Sequence, residues 1–237
     1  MQMNHTAFAG SRSLRQSLKR GLARAALATA DKSAPDLPAL FRMAAGLRPN
    51  PKGLERLAGR LRVQPGVCRV ALTGEGTALS FVTRSLPEVS IRAGGVPVFR
   101  EPGLIYLRAQ VGRIGPGIGF RLSAVGFCGH AIERLVERSD LALDRPLLPQ
   151  VDDEALAIFR GRDRAARIVE QGDEFYPARQ PGLWAGGHDE LALAPEWGLV
   201  NGCGSVPIFS ARTFLSTSEM RPTLWLRWRD DPTCRMV

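Results

Sequence analysis

Apolar residues recur with a helical period near the start of the chain. Between residues 12 and 29 they fall on one side of a helix, and basic residues occupy the other side. The apolar residues on that side are Leu14, Leu18, Leu22 and Ala25. We therefore predict an amphipathic helix over 12–29. The prolines that follow separate two shorter predicted helices, over 37–47 and 52–62.

The hydrophobic pattern changes after residue 66 to short apolar runs separated by glycine or proline, which is typical of strands and hairpins. Strands are predicted at Val67–Leu72, Ala78–Thr83, Val89–Arg92, Val96–Phe99, Leu104–Ala109, Leu183–Ala185, Leu191–Leu193, Leu199–Val200 and Pro207–Phe214. Helices interrupt this pattern at 129–139 and from 152 to 171. Because Pro222 would stop a helix within two turns, we expect the C-terminal segment Thr223–Arg229 to be a strand.

These elements predict an α+β fold in which small, mostly antiparallel sheets carry packed helices. The change of period divides the chain into a basic helical module, residues 1–64, and a mixed α+β body, residues 65–237. The division requires that each part has a hydrophobic core of its own, because helices that pack throughout the body would belong to it.

The net charge of +9 belongs entirely to the predicted N-terminal module. Residues 1–62 contain twelve Lys and Arg against three acids, whereas residues 63–237 contain twenty of each sign. A basic segment attached to a neutral domain is typical of proteins that bind an anionic partner, and nucleic acid, RNA or DNA, is the first expectation. The residues predicted to contact phosphates are Arg12, Arg15, Lys19, Arg20, Arg24, Arg56, Arg60 and Arg62. The alternative is that each basic stripe is a solvated helix face.

Other features of the sequence argue against several classes of protein. No apolar run reaches the roughly 18 residues of a membrane-spanning helix, and the basic helix has no Trp or Phe to insert into a membrane surface. The four cysteines lie far apart with no CxxC pair, so we expect no zinc site, no disulfide scaffold and no cofactor. Reduced thiols, and an apolar run interrupted by Arg24, favour a bacterial-type cytoplasm.

The predicted helix in the middle of the chain is the most informative segment for chemistry. His130, Arg134 and Arg138 fall within about 80° of one another on a helical wheel. Charges of the same sign recur at i,i+4, in these arginines and in Glu133 and Glu137, which a helix selected for stability avoids. Imidazole moves a proton near neutral pH and guanidinium groups hold a phosphate, as phosphodiester cleavage without metal requires. The alternative is an ordinary amphipathic helix whose polar side faces water.

These residues also carry a resemblance to a known family. His-Ala-x-x-Arg-x-x-x-Arg on a short helix, followed by a small sheet, resembles an uncharacterised domain family related to RelE-type toxins, within the barnase- and RelE-like ribonuclease fold. The similarity covers about residues 129–215 and transfers to His130, Arg134, Arg138 and, on the facing strand, Thr213. It implies a metal-independent ribonuclease in which His130 transfers the proton and the two arginines hold the phosphate. The segment before this helix has no counterpart in the family.

Two other segments carry weaker signals. Cys203 lies in a glycine-rich turn and is a candidate nucleophile with His188 and Asp189 as base and orienting residue, although a buried cysteine is far commoner. Trp225 and Trp228 lie three residues apart, which on a strand puts them on opposite faces. We therefore expect these tryptophans to anchor the C-terminal segment to the core.

We expect a nucleic-acid-binding protein that uses the basic N-terminal helices, either without catalysis or with a ribonuclease-like site around His130. The rival function is a structural or protein-interaction component of a phage or mobile-element assembly, in which the basic residues bind an acidic protein surface. Salt-dependent binding of an oligonucleotide favours the first, because phosphate contacts release counterions. Copurification of a protein partner after nuclease treatment favours the second.

Overall fold

The computed structural model of the chain describes residues 5–235, apart from 48–49, 75, 87, 94–95, 115–116 and 194–203. Its helices are α1 (His5–Lys32), α2 (Leu37–Ala45), α3 (Pro51–Arg62), α4 (Gly129–Arg138), α5 (Leu147–Asp163), α6 (Pro222–Asp230) and α7 (Pro232–Arg235). Its strands are β1 (Val67–Thr73), β2 (Ala78–Ser85), β3 (Glu88–Ala93), β4 (Val96–Ile114), β5 (Gly117–Cys128), β6 (Ile168–Glu170), β7 (Asp173–Pro177), β8 (Gly182–Ala192) and β9 (Ser205–Ser216). The fold is α+β and the strand pairing is mostly antiparallel, which confirms the predicted fold class.

The strands form one large sheet rather than several small ones. The order across it is β1-β2-β4-β5-β9-β8-β7-β6, and β3 pairs with the first part of β4. Strands β5 and β9 run parallel through the register from Ala124 with Ile208 to Phe127 with Ala211, and the other described pairs are antiparallel. The α4–α5 connection and β6 to β8 lie between these two strands in the chain, as a parallel crossover requires.

Helices cover both faces of this sheet. Neighbouring residues of a strand point to opposite faces of the sheet, so the contacts of adjacent side chains show which helices lie on each face. Val82 and Tyr106 belong to a core formed with α1, α4 and α5, whereas Phe81, Ile105 and Leu107 belong to a core formed with α2 and α3. The first three helices therefore lie on opposite faces of the sheet, with α1 on one and α2 and α3 on the other.

The predicted boundary at residues 64 and 65 does not separate these cores. On one face, Ala26 and Ala30 of α1 are buried in the same cluster as Trp184 and Phe209 of the body. On the other face, the leucines of α3 are buried with strand residues such as Phe81. Removal of the first three helices would expose the apolar side chains that they cover on both faces.

Helix α1 includes the predicted segment 12–29, but most of its buried residues are not the leucines of its apolar side. Leu14 is 53% exposed and Leu18 is 41% exposed. The residues of α1 that are buried are Ala23, Ala26, Leu27 and Ala30. They pack against α4 and α5, and small side chains allow helices to approach each other closely.

The C-terminal segment is helical, and the prediction of a strand over 223–229 was wrong. Pro222 occupies the first turn of α6, where a backbone N–H would have no acceptor within the helix. The N–H that proline lacks therefore costs the helix no hydrogen bond. Leu224 is buried in a third cluster with Phe175 and Leu183, and Trp225 and Trp228 pack against that cluster. The tryptophans therefore anchor the segment, as expected, although they do so from a helix. The predicted strand at 199–200 lies outside the described residues.

The helix predicted from 152 to 171 ends early, because α5 runs from Leu147 to Asp163 and strand β6 follows. Ala165 has a φ of 54°, a conformation that few side chains adopt, and it turns the chain after the helix. Glu154 of α5 is the only charged side chain among the described residues that is buried in the core.

Candidate nucleic-acid interface

Helix α3 presents a row of cations on its exposed side. Asn50 caps the helix by accepting a hydrogen bond from the Gly53 N–H at 2.7 Å, and Pro51 starts the first turn. Four apolar residues of the helix are buried against the sheet: Leu54, Leu57, Ala58 and Leu61. With that side fixed, Lys52, Arg56 and Arg60 are exposed at i, i+4 and i+8, which places them in line along one face.

The charge of this row is not neutralised within the part of the chain that the structure describes. No ion pair there involves Lys52, Arg56 or Arg60, and the exposed Arg62 extends the basic surface to the end of the helix. The one acid of α3 is Glu55, which is also exposed. Several like charges held on one rigid helix raise the local positive potential and attract anions.

A groove of about 760 Å³ runs beside this row, between α2 and α3. Lys52, Arg56 and Arg60 form its cationic wall. The remaining lining residues come from α2, from α3 and from the connection between them: Met43, Gly46, Leu47, Asn50, Pro51, Gly53 and Leu57. The groove therefore combines a basic wall with an apolar floor, and it lies on the face of the sheet opposite to α1.

The cations that the sequence predicted on α1 are placed differently. Arg15 donates to the backbone oxygen of Leu141 at 2.8 Å, and Lys19 donates to Glu137 at 2.8 Å. Arg20 lies 3.9 Å from a carboxylate oxygen of α4, and Arg24 is exposed. Two of these groups thus attach α1 to the body instead of facing solvent, while the Arg12 side chain lies outside what the structure describes.

The predicted row of His130, Arg134 and Arg138 lies on the solvent-facing side of α4. Cys128 caps the helix, since its sulfur accepts from the Ala131 N–H at 3.4 Å. His130 is exposed, and Arg134 Nε donates to its Nε2 at 3.2 Å. This hydrogen bond requires that Nε2 be the unprotonated nitrogen of the imidazole. Arg134 also forms an ion pair with Glu137 at 2.7 Å.

Arg138 connects the same helix to strand β9. Its Nη1 donates to the backbone oxygen of Phe214 at 2.9 Å and lies 3.4 Å from Thr213 Oγ1. Its Nε forms an ion pair with Glu219 at 2.9 Å. The fold brings His130 to Arg134 and Arg138 to Thr213, so the four residues predicted as one catalytic group lie along one helix and its neighbouring strand. Both guanidinium groups, however, have carboxylate partners.

The fold also assembles a polar cluster that the sequence analysis missed, between α1, β2 and α5. Asp152 accepts a hydrogen bond from Tyr106 at 2.7 Å and forms an ion pair with Arg84, whose guanidinium also donates to Ser33 at 3.1 Å. Burial, and then the Asp152 carboxylate, raise the pKa of the Cys68 thiol to about 12, so this thiol is not a nucleophile at neutral pH. A cavity of about 570 Å³ opens above the cluster.

His188 and Asp189, the described members of the remaining sequence candidate, each have a different partner. Cys203 lies outside the described residues. His188 Nδ1 contacts Glu174, while Asp189 accepts from the backbone N–H of Glu190 at 2.8 Å. Within the described residues, no group of three or more His, Cys, Asp or Glu side chains is placed to hold a metal ion. No described helix is long and apolar enough to cross a membrane.

Comparison with known proteins adds no relative. No protein-family model, no curated protein and no solved structure matches this chain. The function therefore rests on the charge, shape and contacts of its own residues.

Proposed function

We propose that this protein binds nucleic acid through the basic row of α3. The observation that carries the proposal is that Lys52, Arg56 and Arg60 line one wall of a groove and have no ion pair among the described residues. Exposed guanidinium and ammonium groups in a line suit the regularly repeated phosphates of a nucleic-acid backbone. The contacts of α1 support the choice of α3 as the interface, because Arg15 and Lys19 of α1 already have partners in the body.

A titration by fluorescence anisotropy tests this proposal. A labelled oligonucleotide is titrated with the protein at about 50 and 200 mM salt, a range over which phosphate contacts lose affinity steeply. The double variant Arg56→Gln, Arg60→Gln is expected to bind at least about tenfold more weakly and to reduce the slope of log K against log salt by about two.

The matched control removes the same charge from the opposite face of the sheet. Arg20→Gln with Arg24→Gln changes two residues of α1, and we expect a smaller loss of affinity. An equal loss from both double variants would assign binding to net charge rather than to α3. If the intact protein binds no oligonucleotide but copurifies with a protein after nuclease treatment, the interaction role predicted as the rival function replaces this proposal.

A second candidate function is metal-independent cleavage of RNA at α4. It is supported by the exposure of His130 and by its hydrogen bond to Arg134, which together offer an imidazole beside a cation. Against it stand the ion pairs of Arg134 with Glu137 and of Arg138 with Glu219, which reduce the charge available to a phosphate. The candidate predicts that purified protein cleaves RNA in the presence of a chelator and that His130→Ala does not. Equal cleavage by both proteins, or none by the unmodified protein, excludes it.

A further inference from the structure

The groove beside α3 has an apolar floor, and a ligand that contacts the groove only through its phosphates would leave this floor uncovered. Met43 of α2 and Leu47 of the connection that follows it are partly buried and contribute apolar surface to the floor, and the buried Leu57 of α3 also lines the groove. We propose that the groove takes single-stranded nucleic acid, with the backbone along the cationic wall and an unstacked base against this floor. The inference rests on the proposed function and names its substrate class.

The arrangement of charge and apolar surface favours a single strand over a duplex. In a duplex the base faces are stacked inside the helix, so its outer surface offers phosphates and sugars, which gain little from apolar side chains. A single strand exposes base faces, and proteins that bind single strands combine a positive groove with apolar or aromatic surface for those faces. Met43 suits this role because its flexible, polarisable thioether adapts to an aromatic ring.

The lining of the groove also indicates low sequence specificity. Asn50 supplies the one side-chain amide among its lining residues, and that oxygen already accepts the hydrogen bond from Gly53. Base identity and the ribose 2′-hydroxyl are read by hydrogen bonds, and beyond the three cations assigned to the phosphates the described lining offers only the Asn50 amide group for this purpose. We therefore expect RNA and DNA single strands of mixed sequence to bind with similar affinity.

The test compares a labelled 12-nucleotide single strand, as DNA and as RNA, with the same strand annealed to its complement. The full-length protein is titrated by anisotropy alongside the double variant Met43→Ser, Leu47→Ser. We expect the single strand to bind more tightly than the duplex. The variant is expected to lose at least about tenfold for the single strand and to bind the duplex unchanged. The control Leu14→Ser, Leu18→Ser, which changes two exposed leucines of α1, is expected to leave both affinities unchanged.

A second measurement avoids any effect of the variants on folding. The unmodified protein is photocrosslinked to a single strand that carries 5-iodouracil, and the modified peptides are identified by mass spectrometry. Crosslinks are expected within residues 42–60. A duplex bound as tightly as the single strand overturns the inference while the proposed function stands. Crosslinks found only outside residues 42–60 overturn the inference and also count against α3 as the binding surface. If neither oligonucleotide binds, the proposed function itself fails. RNA bound more than tenfold tighter than DNA contradicts the low specificity expected of this lining.

Discussion

Arg138 donates through Nη1 to the backbone oxygen of Phe214 across 2.9 Å. The same guanidinium forms an ion pair through Nε with Glu219, which in turn accepts the backbone N–H of Ser216 at 3.1 Å. One side chain thus joins the end of α4 to the end of β9 and to the turn that follows. These contacts give Arg138 a structural role that does not depend on any chemistry at His130.

Replacement of Arg138 is therefore expected to lower the stability of the fold. Arg138→Ala leaves the Phe214 oxygen and the Glu219 carboxylate without their partner, and we expect the free energy of unfolding to fall by about 2 kcal/mol. Arg138→Lys is expected to recover only part of this loss, because one ammonium group does not reproduce the two-sided contact of a guanidinium. Urea unfolding measures both changes. The control is Arg229→Ala, at an exposed arginine that pairs with its neighbour Asp230 and lies 4.6 Å from the centre of the Trp225 ring. It should change stability by no more than about 1 kcal/mol, and equal effects of the two variants would contradict the assignment.

The charge pattern of α4 illustrates what the sequence predicts and where it misleads. The helix and its buried face follow directly from the apolar period. The repeated acids Glu133 and Glu137 favoured a functional site because like charges at i,i+4 destabilise an isolated helix. In the fold these acids face α1, where Lys19 and Arg20 lie within 4.0 Å of them. A pairing between residues more than a hundred positions apart leaves no local signal in the sequence.

Residues 65–237 produced without the first 64 residues are expected not to fold cooperatively. The truncation removes α1 from one face of the sheet and α2 and α3 from the other, so it exposes apolar side chains of both cores. The exposed surface costs more free energy than the small net stability of a domain this size. Circular dichroism during urea unfolding measures the outcome. A sharp transition of the truncated chain with the far-ultraviolet spectrum of a sheet protein would instead support the division predicted at 64 and 65.

The polar cluster around Asp152 could not be predicted either, because its members also lie far apart in the sequence. Arg84 and Asp152 are separated by 68 positions. They meet only because α1 and α5 cover the same face of the sheet that contains β2. From the sequence alone, Asp152 is interpreted as one acid of a helix start. The buried side of α1 was ambiguous, since both its leucines and its alanines follow a helical period, and the choice depends on how closely α4 approaches.

The carboxylate of Glu154 is expected to make stability depend on pH. It is buried and accepts hydrogen bonds from Trp184 Nε1 at 2.9 Å and from the backbone N–H groups of Arg179 and Gln180 at 2.8 and 3.0 Å. Burial nevertheless raises its pKa from 4.5 to about 7. Because the folded protein then holds this proton more tightly than the unfolded chain, the contribution to stability is greatest below pH 4.5 and is lost as the pH rises to about 7.

The variant Glu154→Gln isolates this effect, because glutamine does not titrate. The amide N–H2 of the new glutamine would face the backbone N–H of Arg179 or Gln180, and two donors cannot form a hydrogen bond with each other. We therefore expect Glu154→Gln to be less stable than the unmodified protein at low pH by about 1–3 kcal/mol. Between pH 4.5 and pH 8 the unmodified protein is expected to lose a stabilisation on the order of 3 kcal/mol, since each unit of pKa shift corresponds to about 1.4 kcal/mol, so the difference is expected to vanish or to reverse its sign. Urea unfolding across this range measures it. Asp153→Asn, at an exposed neighbour, serves as the control, and a difference that does not change with pH would contradict the titration of Glu154.

Gly186 is expected to be irreplaceable in the sheet, whereas Gly21 is not. A Cβ at Gly186 would lie 2.2 Å from the backbone oxygen of Ser210 in β9, at the irregularity where the β8–β9 register shifts. The strands must separate to admit it, so Gly186→Ala is expected to lower the free energy of unfolding by about 3 kcal/mol or more. A Cβ at Gly21 meets nothing within 4 Å on the exposed side of α1, and Gly21→Ala is expected to raise stability by about 0.5–1 kcal/mol, because alanine loses less backbone entropy in a helix. Thermal and urea unfolding of the two variants should therefore shift in opposite directions, and a tolerated Gly186→Ala would show that β8 and β9 do not pack this closely.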